Sequence, residues 1–244
     1  MTAMTATTVK AVVTGHSRGL GAAVAETLRA RGVGVLGLSR RTAGAPDIEE
    51  AALDLSDPAA LAAWLEGGGL GRFLEGASTA LLVNNAGTVA PIGPPGVLGA
   101  GETARAVTLN VTAPLMLADA FAAATSGMPD RRIVHISSGA GRSAYPGWGV
   151  YGATKAALDH HARCVALDAL PGLRITSLAP GVIDTDMQAD IRATPAERFP
   201  NLSRFVGLKR DGGLSAPGDV AARLVDYLLG EGFGADPVTD LRSL

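Results

Sequence analysis

The sequence predicts a doubly wound α/β fold: a parallel sheet flanked by helices on both faces. Two patterns predict it. From Val9 onward, short and continuously apolar runs alternate with longer alanine-rich segments, as fully buried strands alternate with their crossover helices. The first run is followed at once by a glycine-rich turn that opens a helical pattern, and loops after strands are where open α/β sheets bind ligands. The composition sets limits. With 47% hydrophobic and 18% charged residues among 244, there is ample apolar surface to build a core, which excludes a disordered chain.

Taken in order, residues 9–13, 33–38, 80–83, 133–136 and 175–178 read as buried strands, with 51–55 a weaker strand. Residues 20–30, 58–65, 102–124, 150–170 and 219–229 read as helices. The glycine-rich stretches 67–78 and 91–101 read as loops, and 188–216 is a mixed segment after a Pro-Gly break. Residues 1–8 are small and polar and read as a loose tail. No linker or repeat divides the remainder, so 9–244 is expected to form a single domain.

Charge and cysteine content exclude several classes. Lys+Arg total 21 against Asp+Glu 23, so the basic surplus needed for phosphate-backbone binding is missing and no nucleic-acid partner is expected. A single cysteine, Cys164, allows neither an intrachain disulfide nor a thiolate zinc cage. His16, His135, His160 and His161 show no ligand pairing, so no metal is expected. His135 reads as a core residue, His160 and His161 as surface or interface groups, and Cys164 as a small buried or interface hydrophobe. The apolar stretch 113–124 is broken by Asp119 and falls short of the roughly 20 residues a bilayer requires. The first ten residues lack a basic segment followed by an apolar run, and a cytoplasmic protein is expected.

The glycine turn reads Thr14-Gly15-His16-Ser17-Arg18-Gly19-Leu20-Gly21. Gly15 permits a tight turn, Gly19 lets backbone approach a pyrophosphate, and Gly21 allows close helix–strand packing. The helix N-terminus adds unpaired N–H groups and a partial positive charge. The second strand then ends Leu38-Ser39-Arg40-Arg41, without the carboxylate that usually accepts from the ribose 2′-hydroxyl of NAD. Arginine forks suit phosphate, so Arg18 and Arg40, helped by Ser17 or Ser39, are expected to hold a 2′-phosphate and select NADP(H). Asp54-Leu55 closes the third strand, with Asp54 either meeting the adenine amino group or simply ending the strand. Asn85, Ala86 and Gly87 follow the fourth strand, where small residues keep the floor of the site open; Asn84 can tie adjacent strands together, and Asn85 has a mainly structural reading.

Tyr151 and Lys155 are four apart near the start of a helix, on one face. A neighbouring ammonium stabilises phenolate and lowers the tyrosine pKa toward a useful range. Asn110 in the preceding long helix, Ser138 just past a strand, and Pro180-Gly181 with Thr185 after the next strand could converge on the same end. Together these motifs resemble the short-chain dehydrogenase/reductase family over 9 to about 187. The resemblance implies a Rossmann fold with Asn110, Ser138, Tyr151 and Lys155 as catalytic residues. Tyr151 would be the general acid for carbonyl reduction, with Ser138 holding the carbonyl oxygen. Lys155 would bind the nicotinamide ribose and depress the tyrosine pKa, and Asn110 would hold a relay water. Thr185 and the backbone near Val182 and Ile183 would fix the carboxamide, with Pro180 and Gly181 also binding the cofactor.

Residues 137–140, 146–151, 179–188 and 240–242 look like the sepiapterin reductase and benzil reductase branch, which implies NADPH-dependent reduction of ketones or vicinal diketones. Tyr145, Trp148, Met187, Phe199 and Phe205 are candidates for the substrate wall, the two phenylalanines equally readable as the core of a short helix. Asp240 matches the branch's substrate-binding carboxylate by position. The family alternatives are a 3-oxoacyl thioester reductase and an alcohol dehydrogenase; outside enzymes, an NADP(H)-sensing regulator. A small-molecule carbonyl substrate is the expected partner, no membrane is involved, and helices 102–124 and 150–170 are expected to build a homodimer or homotetramer.

Overall fold

A computed structural model describes residues 8–244. Seven parallel strands form one sheet in the order β3-β2-β1-β4-β5-β6-β7. The elements run β1 (Val9–Thr14), α1 (Gly19–Ala30), β2 (Gly34–Ser39), β3 (Glu49–Ala52), α2 (Pro58–Glu66), α3 (Gly69–Leu74) and β4 (Thr79–Asn84). They continue with α4 (Ala100–Val107), α5 (Ala113–Ala124), β5 (Asp130–Ile136), α6 (Gly149–Leu167), β6 (Leu173–Ala179), α7 (Asp186–Arg192), α8 (Leu202–Arg210), α9 (Pro217–Leu229) and β7 (Val238–Asp240). The strand order reverses between β1 and β4, which opens a crevice beyond their carboxyl ends.

Alternation along the strands explains why both faces are covered. Val13, Val83, Val134 and Leu178 pack under α1 and α9 with Val24, Leu28, Leu224 and Leu228. Val12, Leu82, Ile133 and Ile175 point the other way, onto Leu61, Phe73, Leu117 and Phe121 of α2, α3 and α5. A third apolar cluster, built on Trp148, Tyr151, Phe199 and Phe205, lies at the site end of the molecule.

Several expectations change. The 67–78 stretch contains helix α3, because Trp64 closes against Gly69 and Leu70, Phe73 and Leu74 bury into the core. The third strand starts two residues earlier and ends three earlier than predicted, since Asp54 folds into a turn whose carboxylate accepts from Ser56 N at 2.9 Å and Ser56 Oγ at 2.7 Å. Strand β7 is too short for its own periodicity to show. The helix Ala100–Ala124 is 25 residues long and by length and composition could cross a membrane, which 113–124 alone could not. It packs Ala113, Leu117, Ala118 and Phe121 against the sheet. Residues 1–7 of the expected tail lie outside the described residues; Thr8 O accepts from Ser78 N at 2.9 Å.

Candidate active site

The glycine turn has the shape its sequence predicts. Gly15 and Gly19 have φ of +68° and +57°, a region that side-chain-bearing residues avoid. A Cβ at Gly21 would stand 2.2 Å from Gly15 O, so α1 approaches the turn only because that side chain is missing. Thr14 Oγ1 accepts from Asn85 N and Ala86 N, both at 2.9 Å, and Asn85 Nδ2 donates to Thr14 O at 2.9 Å. Asn85 therefore ties the turn to the end of β4. Leu20 turns its side chain into the core, leaving only its backbone toward the turn. No side chain caps the N-terminus of α1, Ser17 included, so its first N–H groups stay available. Thr185 closes the other side, with Cγ2 3.4 Å from where a Cβ on Gly19 would be.

Arg40 extends into solvent past β2, with no hydrogen bond or ion pair among the described residues. Arg18 Nη1 pairs with Asp186 across the crevice at 2.8 Å, both side chains being largely exposed. Ser39 donates its hydroxyl to Arg41 O at 2.6 Å. Leu55 is a core residue. His16, which the sequence offered only as backbone, has its imidazole buried, with Nε2 2.6 Å from Glu50 Oε1. Glu50 is a site-region residue that sequence reasoning missed; its signal was the acidic pair opening the weak third strand.

Asn110, Ser138, Tyr151 and Lys155 come together at the carboxyl ends of β4 and β5. Asn110 sits in a π turn, Thr108–Thr112, which joins α4 to α5. The wider turn lets its side chain accept from Thr88 N and donate to Thr88 O, both at 2.8 Å, and donate to Thr154 Oγ1 at 3.1 Å. Lys155 Nζ donates to Ile136 O at 2.7 Å and lies 5.8 Å from the Tyr151 ring centre. Gly87 forms the floor: a Cβ there would stand 3.2 Å from Asn110 Oδ1 and 3.7 Å from Lys155 Nζ.

The electrostatics correct one expectation. Burial pushes the Tyr151 phenol above its ordinary value, and the neighbouring Ser138 hydroxyl pulls it part of the way back. The ammonium does not reverse this, because it is directed at Ile136 O; burial pushes Lys155 itself down to about 8, with Asp159 opposing. Asp159 is buried on α6 and accepts from Ser137 Oγ and Ser177 Oγ, both at 2.7 Å, and from Arg142 Nε at 3.1 Å.

The aromatic candidates form one cluster, in which Phe199 and Phe205 are buried, as the core reading has it. Trp148 stacks on Phe199 with ring centres 4.9 Å apart and meets Tyr151 edge-on at 5.3 Å, Phe205 at 5.2 Å and Tyr145 at 5.4 Å. Met187 packs on the same cluster. Phe205 is in α8, whereas Phe199 precedes that helix. After β6, Gly181 has φ of +88°, Val182 O accepts from Ser215 N at 3.0 Å, and Ile183 is buried; Pro180 leads into this turn. Asp240, at the end of β7, is held by Arg242 through Nε at 2.8 Å and Nη2 at 2.7 Å. Cys164 is exposed rather than buried. His135 is a core residue, donating through Nε2 to His161 Nδ1 at 3.0 Å while Asn84 Nδ2 donates to its Nδ1 at 3.2 Å.

A glycine turn without side-chain intrusion, an open floor, and a tyrosine, lysine and serine at its end define a dinucleotide-dependent oxidoreductase. The family model for short chain dehydrogenases matches residues 9–196. A benzil reductase ((S)-benzoin forming) of Bacillus cereus is 37% identical over 235 residues, covering 91% of this chain and 94% of that one. Sepiapterin reductase of Meriones unguiculatus is 34% identical over 239 residues, covering 89% and 90%. A short-chain dehydrogenase/reductase structure from Burkholderia vietnamiensis is 47% identical, with TM-score 0.71, covering 98% of this chain and 100% of that one. The chain belongs to the short-chain dehydrogenase/reductase family and resembles its benzil and sepiapterin reductases.

Proposed function

We propose that the chain is an NADP(H)-dependent carbonyl reductase acting on ketones or vicinal diketones with aromatic or aliphatic substituents. The observation that carries this reading is the placement of Tyr151 between two environments. On one side lie Lys155, Asn110 and the open floor at Gly87; on the other, Trp148 with Tyr145 and Met187, backed by the buried Phe199 and Phe205.

The glycine turn and the uncapped end of α1 fit a dinucleotide pyrophosphate, and Arg40 and Arg18 fit a 2′-phosphate. Ser17 and Ser39 would border that phosphate, while Asp54 and the backbone of the buried Leu55 would border the adenine. Asn85, Ala86, Gly87, Pro180, Gly181, Val182, Ile183 and Thr185 line the nicotinamide end. When bound, the cofactor supplies a hydride to the carbonyl carbon. Ser138 holds the carbonyl oxygen toward Tyr151, whose hydroxyl delivers the proton that neutralises the new alkoxide. The phenol is protonated at neutral pH, the state that reduction needs. Lys155 orients the nicotinamide ribose, and Asn110 fixes the neighbouring loop through Thr88. Tyr145, Trp148 and Met187 shape the substrate pocket, with Asp240 a further substrate contact whose carboxylate is paired with Arg242. The enzyme works as one domain over 9–244, in the cytoplasm, as a homodimer or homotetramer. The exposed Val107 and Leu167 on the alanine-rich helices support that association.

Oxidation of NADPH with benzil tests the reading, and turnover is expected to exceed that with NADH. Tyr151→Phe is expected to lower kcat by about 10²- to 10⁴-fold while the affinity for NADPH stays near wild type. Near-normal turnover in that variant would remove Tyr151 from its role.

A further inference from the structure

Glu50 occupies a position that no dinucleotide-binding motif specifies. It lies on β3 directly opposite Gly37 of β2. The His16 imidazole lies over that glycine: a Cβ on Gly37 would stand 2.3–2.4 Å from His16 Cγ, Cδ2 and Nδ1. The missing side chain on β2 is therefore what admits the imidazole of the glycine turn. From there His16 Nε2 reaches Glu50 Oε1 at 2.6 Å, with the two side chains only 1% and 9% exposed. The same carboxylate continues outward. Oε1 also accepts from Ala43 N at 2.7 Å, and Oε2 accepts from Gly44 N at 2.9 Å.

Glu50 thus grips two segments at once. One is the turn between β1 and α1. The other is the loop from Arg40 to Ile48, whose first residues carry Arg40 and Arg41 and are otherwise solvent-exposed. Charge-assisted hydrogen bonds of this kind are short and strong; the His16 contact is part-buried, whereas those to Ala43 and Gly44 face solvent.

We propose that Glu50, through His16, Ala43 and Gly44, is a positioning residue that holds the Arg40 loop at a fixed distance from the phosphate-binding turn and thereby sets the preference for a 2′-phosphorylated dinucleotide. The proposal rests on the reading that Arg40 binds the 2′-phosphate. In this role Glu50 acts through His16 and the backbone of Ala43 and Gly44 rather than on the dinucleotide itself. A carboxylate on β3 is in this way an indirect determinant of the choice that the arginines make directly.

Titration of NADP⁺ and NAD⁺ into the full chain by calorimetry, alongside thermal melts, tests it. The proteins are wild type, Glu50→Gln, Arg40→Ala and the double variant. Glu50→Gln is expected to weaken NADP⁺ binding by about tenfold and NAD⁺ by less than about twofold, as expected when one charged hydrogen-bond anchor is lost. In the Arg40→Ala background the same change should have no further effect on NADP⁺. His16→Ala, which breaks only the inner contact, should shift the NADP⁺ to NAD⁺ ratio in the same direction and serves where Glu50→Gln melts below the assay temperature. A merely structural role would lower the melting temperature and weaken both dinucleotides equally, which overturns the proposal. If wild type prefers NADP⁺ and Arg40→Ala abolishes the preference while both Glu50→Gln and His16→Ala retain it, the positioning role alone fails. If wild type shows no preference for NADP⁺, the cofactor reading fails first and the positioning role with it.

Discussion

Lys155 is a cation held almost out of water, and its chemistry follows from that. Its folded-state pKa of about 8 lies below the 10.5 of an ordinary lysine. Between those values the unfolded chain binds the proton and the folded chain does not, so this group makes stability rise with pH through that window. The slope is bounded by one proton, about 1.4 kcal/mol per pH unit. Urea melts between pH 8 and 9.5 should therefore show a steeper rise for wild type than for Lys155→Met; parallel curves would return Lys155 to an ordinary pKa. Tyr151 does not interfere, because its raised pKa confines its contribution to higher pH. At this scale the site was legible where residue type and spacing carried it: Tyr151 and Lys155 share a helical face, and Ser138 follows a strand. Contacts formed by the sheet itself were not legible. His16 and Glu50 are 34 residues apart and meet only because β2 and β3 pair with Gly37 opposite Glu50.

Among the elements, those with strong periodicity or punctuation could be read closely, and the helix ends show why. Asp57 caps α2 by accepting from Ala59 N and Ala60 N, both at 3.0 Å, with Pro58 at the first helical position. The π turn at Thr108–Thr112 had no such mark; it appears as an unbroken helical pattern in sequence, and only the fit of Asn110 to the Thr88 backbone reveals it. That widening swings Asn110 inward, where its side chain holds the loop after β4. The turn between β1 and α1 is the tightest junction. Gly21→Ala would force α1 away from Gly15 O and Asn85 Nδ2, which lie 2.2 and 2.4 Å from the added Cβ. Overpacking of this kind costs about 1–3 kcal/mol. A drop in melting temperature should accompany weaker binding of both NADP⁺ and NAD⁺, since the pyrophosphate region is common to them. Unchanged binding of both would show that the turn tolerates the displacement.

For the molecule as a whole, the crevice at the reversal of strand order has one bridging contact with direct consequences for cofactor choice. Arg18 comes from the β1–α1 turn and Asp186 from the start of α7, 168 residues later. Their ion pair links the turn to α7, and it occupies one of the two guanidinium groups proposed to face a 2′-phosphate. With side chains 67% and 71% exposed, the pair is worth little in water and more at low salt. On the proposed reading a phosphate dianion would compete for the same fork, so Asp186 would act against the arginine's binding role. Asp186→Asn removes the competitor and keeps the side-chain volume. NADP⁺ should then bind up to about fivefold more tightly at low ionic strength, with NAD⁺ unchanged and the gain fading as salt is raised. Fluorescence titration at two salt concentrations separates the outcomes. A loss of NADP⁺ affinity would mean instead that Asp186 holds the α7 segment in the conformation the cofactor needs. An equal change for both dinucleotides would place its influence on the pyrophosphate rather than on the 2′-phosphate.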